Sequence, residues 1–282
     1  MKRQLELLEV PKSSHYYRPH RKLAREYWDA VLKEELREMY YRLPFYGTPR
    51  ATAELQRMGY KINHKRVGRL RRELGLRTVY PRPHFNTSEP HPEHEKFPYL
   101  LRGMTIDRPN QVGATDLTYT AVGGGRAFVI AIIDLFSRKI LAYNVVNTMD
   151  AEHCIDTLQM ALRRYGRPEI FNSDQGSQFT SSKFIKVLKA NDIRISMDGR
   201  GRCLDNARME RFWWALKYEN IHLSDYKTLP QLRLGVQSYV NFYNAVRLHS
   251  AVGYRPPDEV YRPSCRTKIK PYSKSESIHL FH

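Results

Sequence analysis

Three acidic residues stand in settings that a solvent-facing carboxylate does not need. Asp116 lies inside Ala114-Thr115-Asp116-Leu117-Thr118-Tyr119, a stretch that reads as a β-strand, where an acid is costly to bury unless it is paired or metal-bound. Asp174 ends the strand-like segment Glu169 to Ser173 and is followed by Gln175-Gly176. That turn leaves the carboxylate at a strand's end, where open α/β sheets place their ligands. Glu210 falls in the helical segment Ala207 to Lys217, flanking an apolar stripe of Met209, Phe212, Trp213 and Leu216. Seven residues on, Lys217 returns to nearly the same helix face. Converging carboxylates suit nucleic-acid strand chemistry, because their hard oxygens hold Mg²⁺, which activates an attacking oxygen and stabilises a leaving one. Taken singly, each acid is more often a turn or surface residue, and Lys217 half of an ordinary ion pair.

Other residues compete for these roles. Asp134 reads as the cap of a turn into Ser137-Arg138. Asp205 could replace Glu210 on spacing alone, although Gly201 and Asn206 beside it suggest a flexible segment in which Arg200, Arg202 and Arg208 meet phosphates. Tyr239, Phe242, Tyr243, Arg247 and His249 mix aromatic and basic side chains near the end of the last long helix, with core packing expected for Phe242 and DNA contact for Arg247. His84, His91 and His94 have no cysteine near them to complete a zinc finger. Cys154, Cys203 and Cys265 lack disulfide or metal spacing and fit a reducing cytosol.

The elements that must carry the acids follow from periodicity. Gln111 to Thr120, Ala127 to Asp134 and Lys139 to Val146 alternate as strands, with Gly123-Gly124-Gly125 and Phe136-Ser137-Arg138 as turns. Ala151 to Tyr165 is an amphipathic helix with Ile155, Leu158 and Leu162 on its apolar side. A strand to Ser173, a helix from Lys183 to Ala190 and a strand from Ile193 to Met197 complete a βββαβαβ order, with helices from Ala207 and from Leu229 to Tyr243 behind it.

Ahead of this lies a different composition. The 282 residues carry 47 Lys plus Arg against 29 Asp plus Glu, a net charge of +18 that calls for a polyanionic partner. Residues 1–110 alone hold 23 of those cations against 13 acids. Leu23, Tyr27, Val31 and Leu32 open a helical unit over residues 20–77. A helix from Pro49 to Met58, a turn at Gly59 to Ile62, and a second helix capped by Asn63 and ending before Gly75 have helix-turn-helix spacing. Val67, Leu70 and Leu74 face the core; Lys65, Arg66, Arg69 and Arg72 project as DNA contacts or, alternatively, as a solvated basic face. Six prolines between Thr78 and Asn110 mark a linker. No secretory leader is visible, since Met1-Lys2-Arg3 is followed by Glu6 and Glu9, and the longest apolar run, Ala127 to Ile133, is too short to span a bilayer.

The ordered set Ala114 to Tyr119, Ile133-Asp134-Leu135-Phe136-Ser137-Arg138, Ser173-Asp174-Gln175-Gly176-Ser177-Gln178-Phe179, Asp205-Asn206-Ala207-Arg208-Met209-Glu210 and Tyr243-Asn244-Ala245-Val246-Arg247-Leu248-His249-Ser250 resembles second-reading-frame transposases of the third insertion-sequence family, within the retroviral-integrase superfamily. Asp116, Asp174, Glu210 after 35 intervening residues, and Lys217 match its Asp-Asp-Glu signature with the added Lys. The likeness covers residues 13–262. Gly113 stands where the family usually has Trp, Asn172 where it often has His, and Asp198 where Ser is common.

The resemblance implies an α/β fold: a ribonuclease-H-like mixed sheet with flanking helices, preceded by a small all-α helix-turn-helix domain. The division expected is 1–77 for DNA binding, 78–110 as linker, 111–262 as catalytic domain and 263–282 as basic tail. It implies a DNA transposase in which Asp116, Asp174 and Glu210 hold two Mg²⁺ ions about 4 Å apart, Mn²⁺ being able to substitute. Water then releases a 3′-hydroxyl at the element's end, that hydroxyl attacks target DNA, and Lys217 orients the terminal DNA. Partners implied are the element's terminal repeats and target DNA, further copies in a synaptic complex, and a first-frame segment. No membrane association is expected, and the location is the cytoplasm, at a bacterial nucleoid. Two rivals are a nuclease of the same fold that only hydrolyses and a DNA-binding protein with an inactive core.

Overall fold

A computed structural model describes residues 20–79, 97–198 and 206–262, with side chains from residue 25 onward. The chain divides between Val79 and Tyr80 into two compact units.

The first unit is helical: α1 spans His20–Arg42, α2 Thr48–Arg57 and α3 His64–Glu73. Pro49 sits in the first turn of α2, where its missing N–H costs nothing, and the Asn63 side chain accepts the Arg66 N–H at 2.9 Å to start α3. Leu32, Leu36 and Met39 of α1 pack with Leu55, Val67 and Leu70. That stripe leaves Tyr27 outside, 65% exposed.

In the second unit β1 (Val112–Val122), β2 (Gly125–Asp134) and β3 (Ile140–Val146) run antiparallel, while β4 (Ile170–Ser173) and β5 (Arg194–Met197) join parallel in the order β3-β2-β1-β4-β5. Helices α4 (Ala151–Tyr165) and α5 (Ser182–Ala190) form the crossovers; α6 (Ala207–Glu219), α7 (Leu229–Ala245) and the short α8 (Pro257–Tyr261) follow. The period-two alternation of the strands feeds two cores. Val112, Ala114, Val129, Ala131 and Ile133 face Met209, Phe212, Leu216, Leu232 and Val236 of α6 and α7. Ile130, Ile132 and Phe171 face Leu158, Phe184 and Leu188 of α4 and α5.

At Gly123 the β1–β2 turn has a positive φ, and a Cβ there would lie 2.3 Å from the Lys227 carbonyl, so the hairpin requires glycine. Among the described residues no helix is long and apolar enough to cross a membrane.

Candidate active site

Strand register brings the two aspartates together. β1 pairs β4 through Ala114↔Asn172, so Asp116 and Asp174 each lie two residues past the last rung, near enough for the Asp174 charge to act on Asp116. β4 itself ends at Ser173, which leaves both carboxylates at the C-terminal rim of a parallel pair. Burial first and the neighbouring Asp174 charge second push the Asp116 carboxyl up to about 7, against the pull of the Leu117 N–H and Trp213. Burial likewise raises Asp174, opposed by the Gly176 N–H, which donates to its Oδ1 at 2.9 Å. A Cβ on residue 176 would fall 2.9 Å from that oxygen, so the glycine is what lets the turn close on the carboxylate.

Helix α6 supplies the third side. Asn206, Glu210, Trp213 and Lys217 recur at four, three and four residues, which is one stripe of a helix. Asn206 Nδ2 and Trp213 Nε1 each donate to Asp116 Oδ2 at 3.1 Å, so the members on either side of Glu210 both reach Asp116. Lys217, half-buried, is lowered by burial and raised by Tyr119 and Asp116. Its Nζ lies 5.5 Å from the Tyr119 ring centre. Glu210 is exposed on this stripe, and among the described residues no three His, Cys, Asp or Glu side chains are gathered closely enough to hold a metal ion. Asp116 and Asp174 are therefore brought together, while the Glu210 carboxylate stands off them on the facing helix.

Asp134 keeps its turn role. It is fully buried, its Oδ2 accepts the Ser137 N–H and Oγ at 2.8 and 2.6 Å, and its Oδ1 accepts the Asn110 N–H at 2.9 Å.

The expected DNA contacts separate into two groups. Arg247 does not face DNA: it is 3% exposed, and its Nε and Nη2 donate to Glu219 at 2.6 and 2.5 Å, with the Tyr239 hydroxyl on the same carboxylate at 2.8 Å. A guanidinium so placed bolts the end of α6 to the segment after α7; it has no phosphate to meet. Arg66 and Arg69 also turn inward, both to Asp29 of α1 at 2.8 and 2.6 Å, Arg69 meeting Glu73 as well at 2.6 Å. Packing the recognition-type helix against α1 consumes these two charges. Lys65 and Arg72 remain exposed on α3, and Arg208 is exposed on the first turn of α6. Arg200, Arg202 and Asp205 lie outside the described residues, as do His84, His91, His94, Cys203 and Cys265. Cys154 is buried in the second core, its thiol pushed up to about 12 by burial.

Sequence reasoning missed Trp213 and Asn206 as holders of Asp116. Their i+7 separation about Glu210 was the available signal, masked because Trp213 also reads as core and Asn206 as a helix cap. It also missed Asp198 as a third acid in the row. Beyond Asn172↔Ser196 the β4–β5 register sets Asp198 level with Asp174, and Asn172 Nδ2 donates to its Oδ1 at 2.8 Å.

Comparison with known proteins bears on this arrangement. Residues 106–203 and 191–257 match two models described as integrase core domain, and residues 26–84 match one described as HTH-like domain. The chain is 32% identical over 251 residues to the putative transposase InsK for insertion sequence element IS150 of Escherichia coli strain K12, covering 86% of this chain and 87% of that one. It is 35% identical over 220 residues to the transposase InsF for insertion sequence IS3A of the same strain, covering 76% of each. Among solved structures, the simian T-cell lymphotropic virus intasome in complex with PP2A regulatory subunit B56 gamma matches 86% of this chain and 78% of its own at a TM-score of 0.50 and 15% identity, a likeness of fold.

Proposed function

Because this chain belongs to the integrase-core transposases of the IS3 and IS150 type, which are polynucleotidyl transferases, we propose that it cleaves the 3′ ends of its own insertion sequence and joins them to target DNA at a site made by Asp116, Asp174 and Glu210. The observation that carries the assignment is the approach of Asp116, just past the last β1–β4 rung, to Asp174, just past the end of β4, with Asn206 and Trp213 of the α6 stripe that bears Glu210 bonded to Asp116.

The donor set fits a divalent cation. Two half-buried like-charged carboxylates, one of them raised to about 7, are oxygen ligands that a hard cation would neutralise. Asp116 and Asp174 would hold it, with Glu210 closing on a second ion from α6. When bound, two Mg²⁺ ions, or Mn²⁺ in their place, supply charge stabilisation at the attacking and leaving oxygens.

The chain's own groups set the geometry. Trp213 and Asn206 fix the Asp116 carboxylate from one side, and the Leu117 N–H holds its Oδ1 at 2.8 Å from the other. Gly176 fixes Asp174. Lys217, next to Asp116, positions a phosphate of the terminal DNA and holds its negative charge away from the carboxylates. First water and then the released 3′-hydroxyl attacks phosphorus in line, and each displaced 3′-oxygen leaves with the proton balance made by solvent. No side-chain nucleophile takes part.

The helix-turn-helix unit, with Lys65 and Arg72 exposed on α3, supports binding to the element's terminal repeats. Pairing of two DNA ends calls for more than one copy in a synaptic complex, and a first-frame segment is a further partner. An experiment on the full chain with pre-nicked and intact terminal duplexes tests the assignment. Mg²⁺-dependent joined products, abolished in Asp116→Asn, Asp174→Asn and Glu210→Gln with DNA binding kept, are expected. Cleavage without joining selects the hydrolytic reading, and joining that survives all three changes removes the site from the reaction.

A further inference from the structure

The active rim continues into a feature that neither the triad nor the helix-turn-helix unit uses. β4 pairs with β1 only as far as Ala114, so from Thr115 onward β1 has no strand on that side. Tyr119 stands on this open stretch, 49% exposed. Two cations approach its ring: Lys217 from α6, with Nζ 5.5 Å from the ring centre, and Arg126 from the start of β2, with Cζ at 6.0 Å. The β1–β2 register places Arg126 opposite Ala121, two residues beyond Tyr119. The tight turn at Gly123 and Gly124 thus folds a guanidinium back onto the same ring that an ammonium reaches from the helix.

Neither of these two cations is spent on an ion pair among the described residues. Arg66, Arg69, Arg108, Lys139, Lys183 and Arg247 each have a carboxylate within ion-pair distance. Among the described residues neither Arg126 nor Lys217 has one. Two cations without an acid partner thus share one aromatic ring, and Lys217 lies close enough to Asp116 to feel its charge. An electron-rich ring face lowers the cost of bringing like charges together without consuming their hydrogen-bond donors.

We propose that Tyr119 is a positioning residue that holds Arg126 and Lys217 together as a clamp for consecutive phosphodiester groups of the DNA strand leading into the Asp116 site. The inference rests on the reaction assigned above, and extends it to a ring and a guanidinium on the β1–β2 hairpin. The ligand is the nucleic-acid backbone: nothing in the trio reads a base edge, so the clamp is indifferent to sequence.

The test is equilibrium binding of the full-length chain to a duplex made from the DNA flanking its reading frame, followed over a salt series in chelator. Without divalent cation it reports backbone contact alone, so a failure of the catalytic assignment leaves the result interpretable. Arg126→Gln and Lys217→Gln should each reduce the slope of log affinity against log salt by about 0.9, one phosphate apiece. Tyr119→Leu removes no charge, yet it should weaken binding about 3- to 10-fold and also flatten the slope, because the cations lose their common support. Tyr119→Phe, which keeps the ring, should recover most of that loss. A Tyr119→Leu protein with wild-type melting and an unchanged salt slope overturns the proposal. So does a Tyr119→Phe protein as weak as Tyr119→Leu, since the hydroxyl and not the ring face would then be responsible.

Discussion

Replacing Asp116 with asparagine should stabilise the metal-free protein at alkaline pH. The carboxyl is raised from 3.8 to about 7 in the folded chain, by burial first and by the Asp174 charge second. Between those two values the folded state retains a proton that the unfolded state has lost, so stability falls as pH rises through that window. Above about pH 7 the whole cost is present, on the order of 4 kcal/mol for a shift of that size. The amide that replaces the carboxylate would carry no charge, but it offers one acceptor oxygen where the carboxylate uses two, for Leu117 on one and for Asn206 and Trp213 on the other. That gives back about 1–2 kcal/mol, leaving a net gain of about 2–3 kcal/mol. At about 2–4 °C per kcal/mol for a unit of this size, Tm at pH 8 in chelator should rise by about 4–12 °C. The gain should shrink steadily toward pH 4, where both side chains are neutral. Scanning calorimetry of the two proteins at pH 4, 6 and 8 measures this. Mg²⁺ should raise the Tm of wild type far more than that of the variant. A variant less stable than wild type at pH 8 in chelator, or a difference that does not change with pH, would refute the electrostatic account of the site.

Four other outcomes follow from the same geometry. Gly176→Ala should leave Tm within about 1 °C of wild type yet cut strand transfer at least 10-fold, because the new methyl displaces the Asp174 carboxylate and not the backbone; equal losses of both would place the strain elsewhere. Trp213→Phe keeps the buried ring but removes a donor to Asp116, costing about 1.5–3 kcal/mol at pH 8 and less at pH 4, read by denaturant titration. Arg247→Met strands the buried Glu219 and should cost about 3–5 kcal/mol, with the salt dependence of DNA binding unaltered, whereas a lost phosphate contact would flatten that slope. Lys65→Gln and Arg72→Gln should each reduce the slope by about 0.9, and Arg66→Gln and Arg69→Gln by less, because Asp29 and Glu73 already engage the latter pair; equal slopes from all four would show that these acids release them to DNA.

Much of this was legible before any coordinates. Helix α4 spans Ala151–Tyr165 as its apolar period required, and the Asn63 cap and all five strands fall within two or three residues of their expected bounds, because local periodicity and turn chemistry agree with the tertiary fold there. The aspartate pairing was legible only as motif resemblance, since strand register is a long-range property. The ion pairs of the arginines were not legible. Arg66, Arg69 and Arg247 sit in basic or aromatic surroundings along the sequence, and their partners Asp29 and Glu219 lie 28 to 40 residues away, where no local pattern can see them. A net charge of +18 calls for a polyanionic partner; it does not say which cations are free to bind one.

If Asp116, Asp174 and Glu210 act as one unit on DNA, none of them can be spared. The most direct measurement is Mg²⁺-dependent joining of a pre-nicked terminal duplex to plasmid target by wild type, by Asp116→Asn, Asp174→Asn and Glu210→Gln singly, and by the triple variant. Each single change should lower joining as far as the triple change does, with terminal-duplex binding kept. Glu210→Gln joining at the wild-type rate would contradict that unity, leaving the facing helix as a support for Asp116 and no part of the chemistry.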